Sequence, residues 1–311
     1  MGPHIHLYVE PHDAYKQQLQ AKLDGVAISY GETPPAETTI LVMGYPTEKQ
    51  LSACPNLKSV VIPFTGISQE TLKVLQPYPD LLLYNMHFQA EIVAEGAMIL
   101  LLALSRNVCR NDGEMRKGRW PARHEEMPPP TLHGKTAVVL GFGAIGREIG
   151  RLCSLFDMKV IGLTRSGQSE GCLPISSLRD VLPQADVLFI AAPSTSETRN
   201  LIGEAELALL KPQAMIVNIA RADIFEEEAL YEALKKRAIH GAALDVWWNS
   251  FDEEGKFFNF PFNELDNVIL SPHITWRTEQ TEPRRFEVLG SLLERLVAGD
   301  PPKPVDKALG Y

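Results

Sequence analysis

The stretch VLGFGAIGREIG, residues 139–150, decides the fold of this chain. It holds a GxGxxG pattern, and the apolar run TAVVLGFG (136–143) leads straight into a helical segment. In that context the first glycine permits a tight turn, the second leaves room for a pyrophosphate, and the third lets helix and strand pack closely. The helix N-terminus favours the negative charge. The stretch therefore predicts a dinucleotide-binding loop, whose residues are Gly141, Gly143, Ala144, Ile145 and Gly146.

The next predicted strand, MKVIGLT (158–164), ends where the ribose of a bound dinucleotide is usually recognised. Proteins that prefer NAD commonly carry Asp or Glu near this position. Here the chain continues through Thr164, Arg165 and Ser166, so that no carboxylate repels a 2′-phosphate and a guanidinium attracts it. We therefore expect NADP to be the preferred cofactor. NAD binding stays possible, with Arg165 stacked on adenine or directed into water.

Apolar runs alternate with helical segments on both sides of the glycine loop. Such alternation predicts α/β units, and strands that are apolar almost throughout are typical of buried parallel sheets. The predicted strands are 4–10, 38–45, 57–64, 136–143, 158–164, 186–193, 214–220, 241–247 and 267–274. The predicted helices are 12–24, 47–53, 90–107, 146–156, 176–183, 203–210, 226–237 and 283–298. The pattern indicates two related open sheets.

Composition excludes several classes of protein. The chain has 311 residues, of which 45% are hydrophobic and 22% charged, as in a soluble globular protein with two domains. Its net charge of −9 argues against a nucleic-acid partner. The apolar run 92–104 is too short to span a membrane and contains Glu95. The N-terminus lacks a signal-peptide pattern, and the four cysteines form no CxxC pair, so we expect a cytoplasmic protein.

Three segments at or beyond the ends of predicted strands carry candidate chemistry: 217–230, 241–250 and 267–276. Ligands bind at such places in open α/β sheets. Arg221 offers a planar guanidinium that suits the carboxylate and carbonyl oxygens of a 2-keto acid. His273 can deliver the proton that the carbonyl oxygen needs when a hydride arrives. Either residue alone is more often structural, but together with a dinucleotide loop they favour a reductase.

Further motifs occur in the order and spacing of a known family: TGIS (65–68), AEIVAEGAMILLLALSR (90–106), LHGKTAVVLGFGAIGRE (132–148), APSTSETRNLIG (192–203), LLKPQAMIVNIAR (209–221) and VDKALGY (305–311). The chain resembles the D-isomer-specific 2-hydroxyacid dehydrogenases, which include glyoxylate/hydroxypyruvate reductases, D-lactate dehydrogenases and phosphoglycerate dehydrogenases. The resemblance implies an α/β protein of two open, doubly wound parallel-sheet domains. A Rossmann cofactor domain (88–276) would be inserted into a flavodoxin-like substrate domain (1–87 with 277–311).

The resemblance also implies roles for single residues. Arg221 matches the arginine that binds the substrate carboxylate and polarises the keto oxygen, and His273 matches the proton donor and acceptor. A loop whose backbone amides hold the carboxylate is matched by Thr65, Gly66 and Ile67. Cofactor-contacting positions are matched by Pro193, Thr198, Ile219 and Asp245, the last near the nicotinamide carboxamide. The helix at 90–107 matches the dimerisation region, so a homodimer is expected.

One departure from the family pattern concerns the catalytic histidine. The family usually places a glutamate five residues after the matched Asp245, where it raises the affinity of the histidine for a proton. That position is Ser250 here. Asp252, Glu253 or Glu254 could replace the carboxylate, or the enzyme could work without it at a lower histidine pKa. A third interpretation is a catalytically weak cofactor-binding sensor or interaction protein.

Smaller departures concern the substrate pocket and the N-terminal strand. Trp247, Trp248 and Trp276 would either line the pocket or pack in a core. Gly96 stands where many relatives carry a larger residue. His4 and His6 alternate on a strand without a convincing third ligand, so no metal is expected.

Taken together, the sequence predicts an NADPH-dependent enzyme that reduces a small 2-keto acid, of the glyoxylate or hydroxypyruvate type, to the D-2-hydroxy acid. The reaction is expected to be reversible, with Arg221 binding the substrate and His273 donating the proton.

Overall fold

The computed structural model describes residues 2–120, 129–169, 171–249 and 256–307. The chain divides into two compact units. The first combines residues 1–89 with 278–311, and the second is the continuous segment 90–277. The first unit is therefore discontinuous in sequence, with the whole of the second unit lying between its two parts.

The strands, in chain order, are β1 (His4–Leu7), β2 (Ala27–Tyr30), β3 (Ile40–Val42), β4 (Ser59–Ile62), β5 (Leu82–Asn85), β6 (Thr136–Leu140), β7 (Lys159–Thr164), β8 (Cys172–Pro174), β9 (Val187–Ile190), β10 (Met215–Asn218), β11 (Gly241–Leu244) and β12 (Val268–Leu270). The α-helices are α1 (Asp13–Lys22), α2 (Glu48–Ser52), α3 (Gln69–Leu75), α4 (Ala90–Ser105), α5 (Val108–Arg116), α6 (Ala144–Leu155), α7 (Leu178–Val181), α8 (Glu204–Leu207), α9 (Glu227–Lys235) and α10 (Thr281–Ala298).

In the first unit, five parallel strands are ordered β2-β1-β3-β4-β5. This is the strand order of a flavodoxin-like doubly wound sheet. One face packs under α1 and α10 through Leu19, Phe286 and Leu289, and the other face packs under α2 and α3 through Leu51 and Leu75. Helices on both faces explain why β4, with the sequence SVVI, is buried at every position.

In the second unit, seven parallel strands are ordered β12-β11-β10-β9-β6-β7-β8. Read from β8, this is the Rossmann order extended by one strand, and it reverses between β6 and β9. Apolar residues of α4 and α6 cover one face, and those of α7, α8 and α9 cover the other. The crevice at the carboxyl ends of β6 and β9 is therefore the expected ligand-binding position.

The predicted fold class is confirmed, because both sheets are parallel, open and covered by helices on both faces. Several elements differ from the sequence prediction. The sequence did not predict β2, β5, β8, α3 or α5, and the helix expected at 203–210 is limited to Glu204–Leu207. The strand expected at 4–10 ends at Leu7. The reversal point nevertheless lies where the glycine motif predicts it, directly after β6.

The described part of the closing motif VDKALGY is anchored to the first unit. Val305 donates its backbone N–H to Leu83 O at 2.8 Å. The Lys307 ammonium donates to three backbone carbonyls, Tyr78 O at 2.6 Å, Leu81 O at 2.8 Å and Pro79 O at 3.0 Å. Residues 308–311 lie outside the described residues.

Among the described residues, no single helix is long and apolar enough to cross a membrane. The helices α4 and α5 pass such a test only as a pair, and the two are bent by 59° at their junction.

Candidate active site

In the glycine loop after β6, two glycines lie against neighbouring backbone atoms and a third has free space beside its Cα. Gly141 has φ of +95°, and a Cβ there would lie 2.3 Å from Ala192 N. A Cβ on Gly146 would lie 2.1 Å from Gly141 O. A Cβ on Gly143, which caps α6, would have nothing within 4 Å, so this position leaves space beside the helix N-terminus. These residues fit a pyrophosphate, because the tight turn is enforced and the space that the phosphates need is open.

The loop is held from behind by Phe142. Its ring occupies the space that side chains on Gly150 and Gly162 would take, since a Cβ on either glycine would lie within 2.9 Å of the ring. Ala144 and Ile145 form the first turn of α6, and Ile145 packs against the core beneath the helix. The packing thus fixes the start of α6, where the uncapped N–H groups lie.

Thr198 fixes the loop after β9, the neighbour of the glycine loop at the reversal point. Its hydroxyl donates to Pro193 O at 2.7 Å and accepts from Thr195 N at 2.8 Å. Thr198 is buried, with 6% of its surface exposed. The structure therefore gives Thr198 a role in shaping the loop that carries Pro193, and contact of either residue with a cofactor stays a prediction.

The three residues expected to read the ribose follow β7. Thr164 Oγ1 accepts from Gly167 N at 3.1 Å and closes the turn. Arg165 forms a two-pronged ion pair with Glu197, with Nε 3.0 Å from Oε2 and Nη2 3.1 Å from Oε1. Ser166 accepts from Gln168 N at 3.4 Å. The guanidinium of Arg165 is thus paired with the loop after β9, while its side chain stays half-exposed.

The turn that carries Arg221 is built by Asn218, the last residue of β10. The buried Asn218 amide donates to Arg221 O at 2.9 Å and accepts from Ala220 N at 3.1 Å. Ile219, between them, is 7% exposed and packs into the core. Arg221 itself is exposed, with Nη1 donating to Ala220 O at 2.6 Å. Asn218 was not predicted from the sequence, although it is a polar residue at the end of an otherwise apolar strand.

Asp245 follows β11 and organises the loop that carries His273. The aspartate is fully buried. Its Oδ1 accepts from Ser271 Oγ and from Ile274 N at 3.0 Å, and its Oδ2 accepts from Thr275 N at 3.1 Å and Thr275 Oγ1 at 2.6 Å. A carboxylate accepts about four hydrogen bonds, so these donors use its capacity. Asp245 thus holds the loop that carries His273, and its expected contact with a nicotinamide carboxamide stays a prediction.

His273 sits in the left-handed backbone region, with φ of +56°. Its environment lowers the imidazole pKa below the ordinary 6.5, chiefly because burial among protein atoms disfavours the charged form. The negative charge of Asp245 acts in the opposite direction, and the positive charge of Arg221 lowers the pKa further. The side chain nevertheless keeps an exposed surface, as a proton donor to a ligand must.

The predicted carboxylate-holding loop of the first unit lies between β4 and α3. Thr65 Oγ1 donates to Met86 O at 3.0 Å, and Asn85 Nδ2 donates to Thr65 O at 2.6 Å. Within the described chain, the backbone N–H groups of Gly66 and Ile67 make no hydrogen bond. They therefore remain available to a ligand, and their contact with a substrate carboxylate stays a prediction.

The tryptophans divide between core and loop. Trp247 and Trp248 pack in an aromatic cluster around Phe262, and Trp248 Nε1 donates to Phe225 O at 3.3 Å. Trp247 Nε1 donates to Ser271 O at 2.9 Å, and Trp276 Nε1 donates to His273 O at 2.8 Å. Two of the three indoles thus hold the His273 loop.

The remaining features that the sequence singled out are the acidic segment near Ser250 and the histidines of β1. Ser250, Asp252, Glu253 and Glu254 lie outside the described residues. Within residues 2–120, 129–169, 171–249 and 256–307, no three His, Cys, Asp or Glu residues form a group that could hold a metal ion. His6 is instead hydrogen-bonded within the first unit, to Ser29 Oγ at 2.8 Å and Gly31 O at 2.7 Å.

The structure brings Arg221, Asp245 and His273 to the ends of three neighbouring strands, β10, β11 and β12. A parallel sheet with a glycine turn at its reversal point and this constellation at its carboxyl edge defines an α/β dinucleotide-binding protein. The chain belongs to the D-isomer specific 2-hydroxyacid dehydrogenase family, because the model of the family's NAD binding domain matches residues 98–275.

Individual relatives are similar over different parts of the chain. A glyoxylate reductase of Pyrococcus furiosus is 35% identical over 224 residues, which are 69% of this chain and 65% of that protein, just under two thirds of its length. A glyoxylate reductase of Thermofilum pendens is 32% identical over 265 residues, 83% of this chain and 77% of that protein. A D-isomer specific 2-hydroxyacid dehydrogenase of Xanthobacter autotrophicus, solved with NADPH and MES, covers 100% of both chains with a TM-score of 0.84 and 24% identity.

These similarities confirm the family that the sequence predicted. The match also places the family's NAD binding domain within the second unit, over residues 98–275.

Proposed function

We propose that the protein is an NADPH-dependent reductase of a small 2-keto acid of the glyoxylate or hydroxypyruvate type. It forms the D-2-hydroxy acid and runs reversibly. The observation that carries the proposal is the meeting of Arg221, Asp245 and His273 at one edge of the sheet that also bears the glycine loop. Relatives that are glyoxylate reductases support the choice of substrate class.

In this proposal each polar residue has a task set by its chemistry. A bound nicotinamide supplies the hydride. Arg221 binds the substrate carboxylate and keto oxygen with its planar guanidinium. His273, in its protonated form, donates a proton to the oxygen on which charge develops. The backbone amides of Thr65, Gly66 and Ile67 hold the carboxylate. In this proposal residues 1–87 with 277–311 serve as the substrate domain, and residues 88–276 serve as the cofactor domain.

The proposed cofactor contacts surround the reversal point of the second sheet. They are Gly141, Gly143, Ala144, Ile145, Gly146, Thr164, Arg165, Ser166, Pro193, Thr198, Ile219 and Asp245. NADP is preferred in this proposal because Arg165 offers a guanidinium near the expected 2′-phosphate and no carboxylate ends β7. The pairing of Arg165 with Glu197 moderates that preference, since the phosphate has to share the guanidinium.

Assembly and compartment belong to the same proposal. A homodimer is supported by exposed apolar side chains on α4 and α5, among them Ile99 and Met115. A cytoplasmic location is supported by the free thiols of Cys54, Cys109 and Cys153, which a reducing compartment would preserve.

Steady-state kinetics tests this function. Glyoxylate, hydroxypyruvate, pyruvate and phenylpyruvate are offered with NADPH and with NADH, from about pH 5 to about pH 8. We expect turnover of a small keto acid, with NADPH preferred, and its loss in R221A and H273N. Tight NADPH binding without turnover of any keto acid would instead favour a cofactor-binding sensor.

A further inference from the structure

The loop that carries His273 is held in a backbone conformation that it would not adopt alone. A non-glycine residue in the left-handed region is costly, and it persists where the surroundings enforce it. For His273 these surroundings include Asp245, which receives hydrogen bonds from the residues on both sides of the histidine. Contacts that hold Thr275 against Asp245 therefore also help to hold the backbone of His273, and with it the imidazole.

Helix α4 supplies the opposing surface through a glycine. A Cβ on Gly96 would lie 2.7 Å from Thr275 Cβ and 3.0 Å from Thr275 Cα. No side chain at position 96 could be accommodated without moving the loop, because the contact includes backbone. Thr275 is therefore seated between the bare backbone of α4 on one side and the carboxylate of Asp245 on the other.

We propose that Gly96 and Thr275 form a positioning pair for His273. The missing side chain at Gly96 lets Thr275 approach α4 closely enough for its N–H and its hydroxyl both to reach Asp245 Oδ2. The inference rests on the proposed function, because it assigns the pair to the placement of the proton donor.

The expected consequence is kinetic rather than a loss of binding. A displacement of about 1 Å at a catalytic group can reduce the rate about a hundredfold. The charged groups that act on the His273 imidazole are Asp245 and Arg221, and within the described residues their side chains are hydrogen-bonded to Ala220 and to residues 271–275. Moving Thr275 should therefore lower kcat for keto-acid reduction by a larger factor than it weakens NADPH binding, because Asp245 is only one of the proposed cofactor contacts.

A double-mutant cycle between the two positions tests the pair. We expect G96A to lower kcat by about tenfold to a hundredfold. T275G removes the crowded side chain together with its hydroxyl, so it lowers kcat by itself. In G96A/T275G the 2.7 Å contact with Thr275 Cβ is gone and only the 3.0 Å approach to Cα remains, so G96A should then change kcat by less than about threefold. Effects that multiply in the double variant would overturn the proposal, as would a G96A enzyme with wild-type kcat.

The matched control is G113A on α5, where a Cβ has nothing within 4 Å and no effect on kcat is expected. Two isosteric or conservative variants serve if G96A does not fold. T275V keeps the shape of Thr275 and loses the hydroxyl donor, so kcat should fall by about tenfold. T275S keeps the hydroxyl and should restore most of that loss. Equal kcat values for T275V and T275S would contradict the proposal.

Hydrogen exchange of the segment 271–277 separates this inference from the proposed function. The N–H groups of Ile274 and Thr275 donate to Asp245, so their exchange should be faster in G96A than in the wild type or in G113A. Absence of turnover in the wild type would refute the proposed function. Unchanged exchange in G96A would refute the positioning pair.

Discussion

His273 shows how one residue is tuned by competing effects. Burial lowers its pKa, the charge of Asp245 raises it, and the charge of Arg221 lowers it. Because burial is the largest of these, the imidazole is mostly neutral near pH 7. An imidazole with a lowered pKa carries its proton mainly below about pH 7. Ser250 stands where the family usually has a glutamate that raises the pKa of the histidine. Within the described residues, the carboxylate that raises the pKa of His273 is Asp245.

The pH dependence of the reaction follows from the direction of this shift. Reduction needs the protonated imidazole, so kcat/KM for the keto acid should fall as pH rises through a value below 6.5. Oxidation of the hydroxy acid needs the neutral form and should rise to a plateau through the same value. Profiles of both directions measure it, and an apparent pKa above 6.5 in the reductive direction would contradict the expectation.

Replacement of Asp245 should shift that profile. D245N removes the charge that raises the pKa of His273, so the reductive profile should move to lower pH. It also disturbs the hydrogen bonds of the loop, and kcat should fall by about a hundredfold. D266N, at an exposed aspartate paired with Arg237, is the matched control and should change neither quantity. An unshifted profile in D245N would show that Asp245 does not act on the imidazole.

Cofactor selectivity should depend on the ion pair between Arg165 and Glu197. R165A should weaken NADPH binding by roughly tenfold to a hundredfold and leave NADH binding nearly unchanged, because a charged hydrogen-bond donor to the phosphate is lost. E197Q should strengthen NADPH binding by about two- to fivefold, since both partners are half-exposed and such pairs are weak. Fluorescence titration with each cofactor measures both changes.

A matched control for this pair is E232Q, at a glutamate paired with lysines on α9. It should bind both cofactors as the wild type does. If R165A weakened NADH and NADPH equally, Arg165 would be stacking on adenine rather than reading a phosphate.

At the residue scale, the sequence was enough to select candidate site residues, but it did not show their hydrogen-bond partners. The motifs singled out Asp245 and His273, yet the hydrogen bonds that join Asp245 to Ser271 and Thr275 connect positions 26 and 30 residues apart. Such contacts depend on the pairing of β11 with β12, which a single sequence does not show. For the same reason, Glu197 was an unremarked residue of a loop motif until the fold placed it beside Arg165.

At the scale of elements, the glycine loop combines positions with opposite requirements. Gly141 and Gly146 are constrained by backbone atoms closer than 2.5 Å to a Cβ, whereas Gly143 is open. G143A should therefore cost at most about 1 kcal/mol of stability, from the poorer helix cap. It should weaken NADPH binding by at least about tenfold, because the methyl group occupies the pyrophosphate space. G146A should lower stability by about 1–3 kcal/mol. Calorimetry with cofactor titration measures both.

The difference in stability between G143A and G146A tests this assignment. If G143A destabilised the protein as much as G146A does, the open position would have a structural role and the dinucleotide assignment would lose its main geometric support. G25A is unsuitable as a control because Gly25 has φ of +73°. G113A lies in a helix with open space, so it should leave NADPH binding unchanged and raise stability slightly, by up to about 1 kcal/mol.

The sequence predicted the buried central strands and failed at short or half-exposed ones. Strands β9, β10 and β11 are buried throughout and are apolar apart from Asn218, the last residue of β10. In contrast, β2 has the sequence AISY with no fully buried position, and β8 has only three residues. Their formation depends on the neighbouring strand offering a free edge, so the local sequence carries little signal.

At the scale of the whole molecule, the two units repeat one architectural principle with different strand orders. In both, the chemistry-bearing loops follow the carboxyl ends of parallel strands: Thr65 follows β4, and Arg221 follows β10. The chain crosses between the units at two places, near residues 89 and 277. A net charge of −9 would repel an anionic substrate, so the local cation Arg221 has to supply the attraction.

Helices α4 and α5 carry exposed apolar side chains that predict a dimer interface. On α4, Ile99 and Leu102 lie three residues apart and are 58% and 36% exposed. On α5, Val108 and Met115 lie seven residues apart and are each 51% exposed. Residues at these spacings share a helix face, and large apolar side chains gathered on one face favour burial against a partner. Light scattering should therefore give about twice the chain mass of 34.6 kDa.

I99E should weaken the dimer by more than about tenfold, because burying an unpaired charge is costly. L155E, at a residue of α6 that is 71% exposed, should leave the mass unchanged, and a monomeric wild type or an equal effect of both variants would exclude this surface.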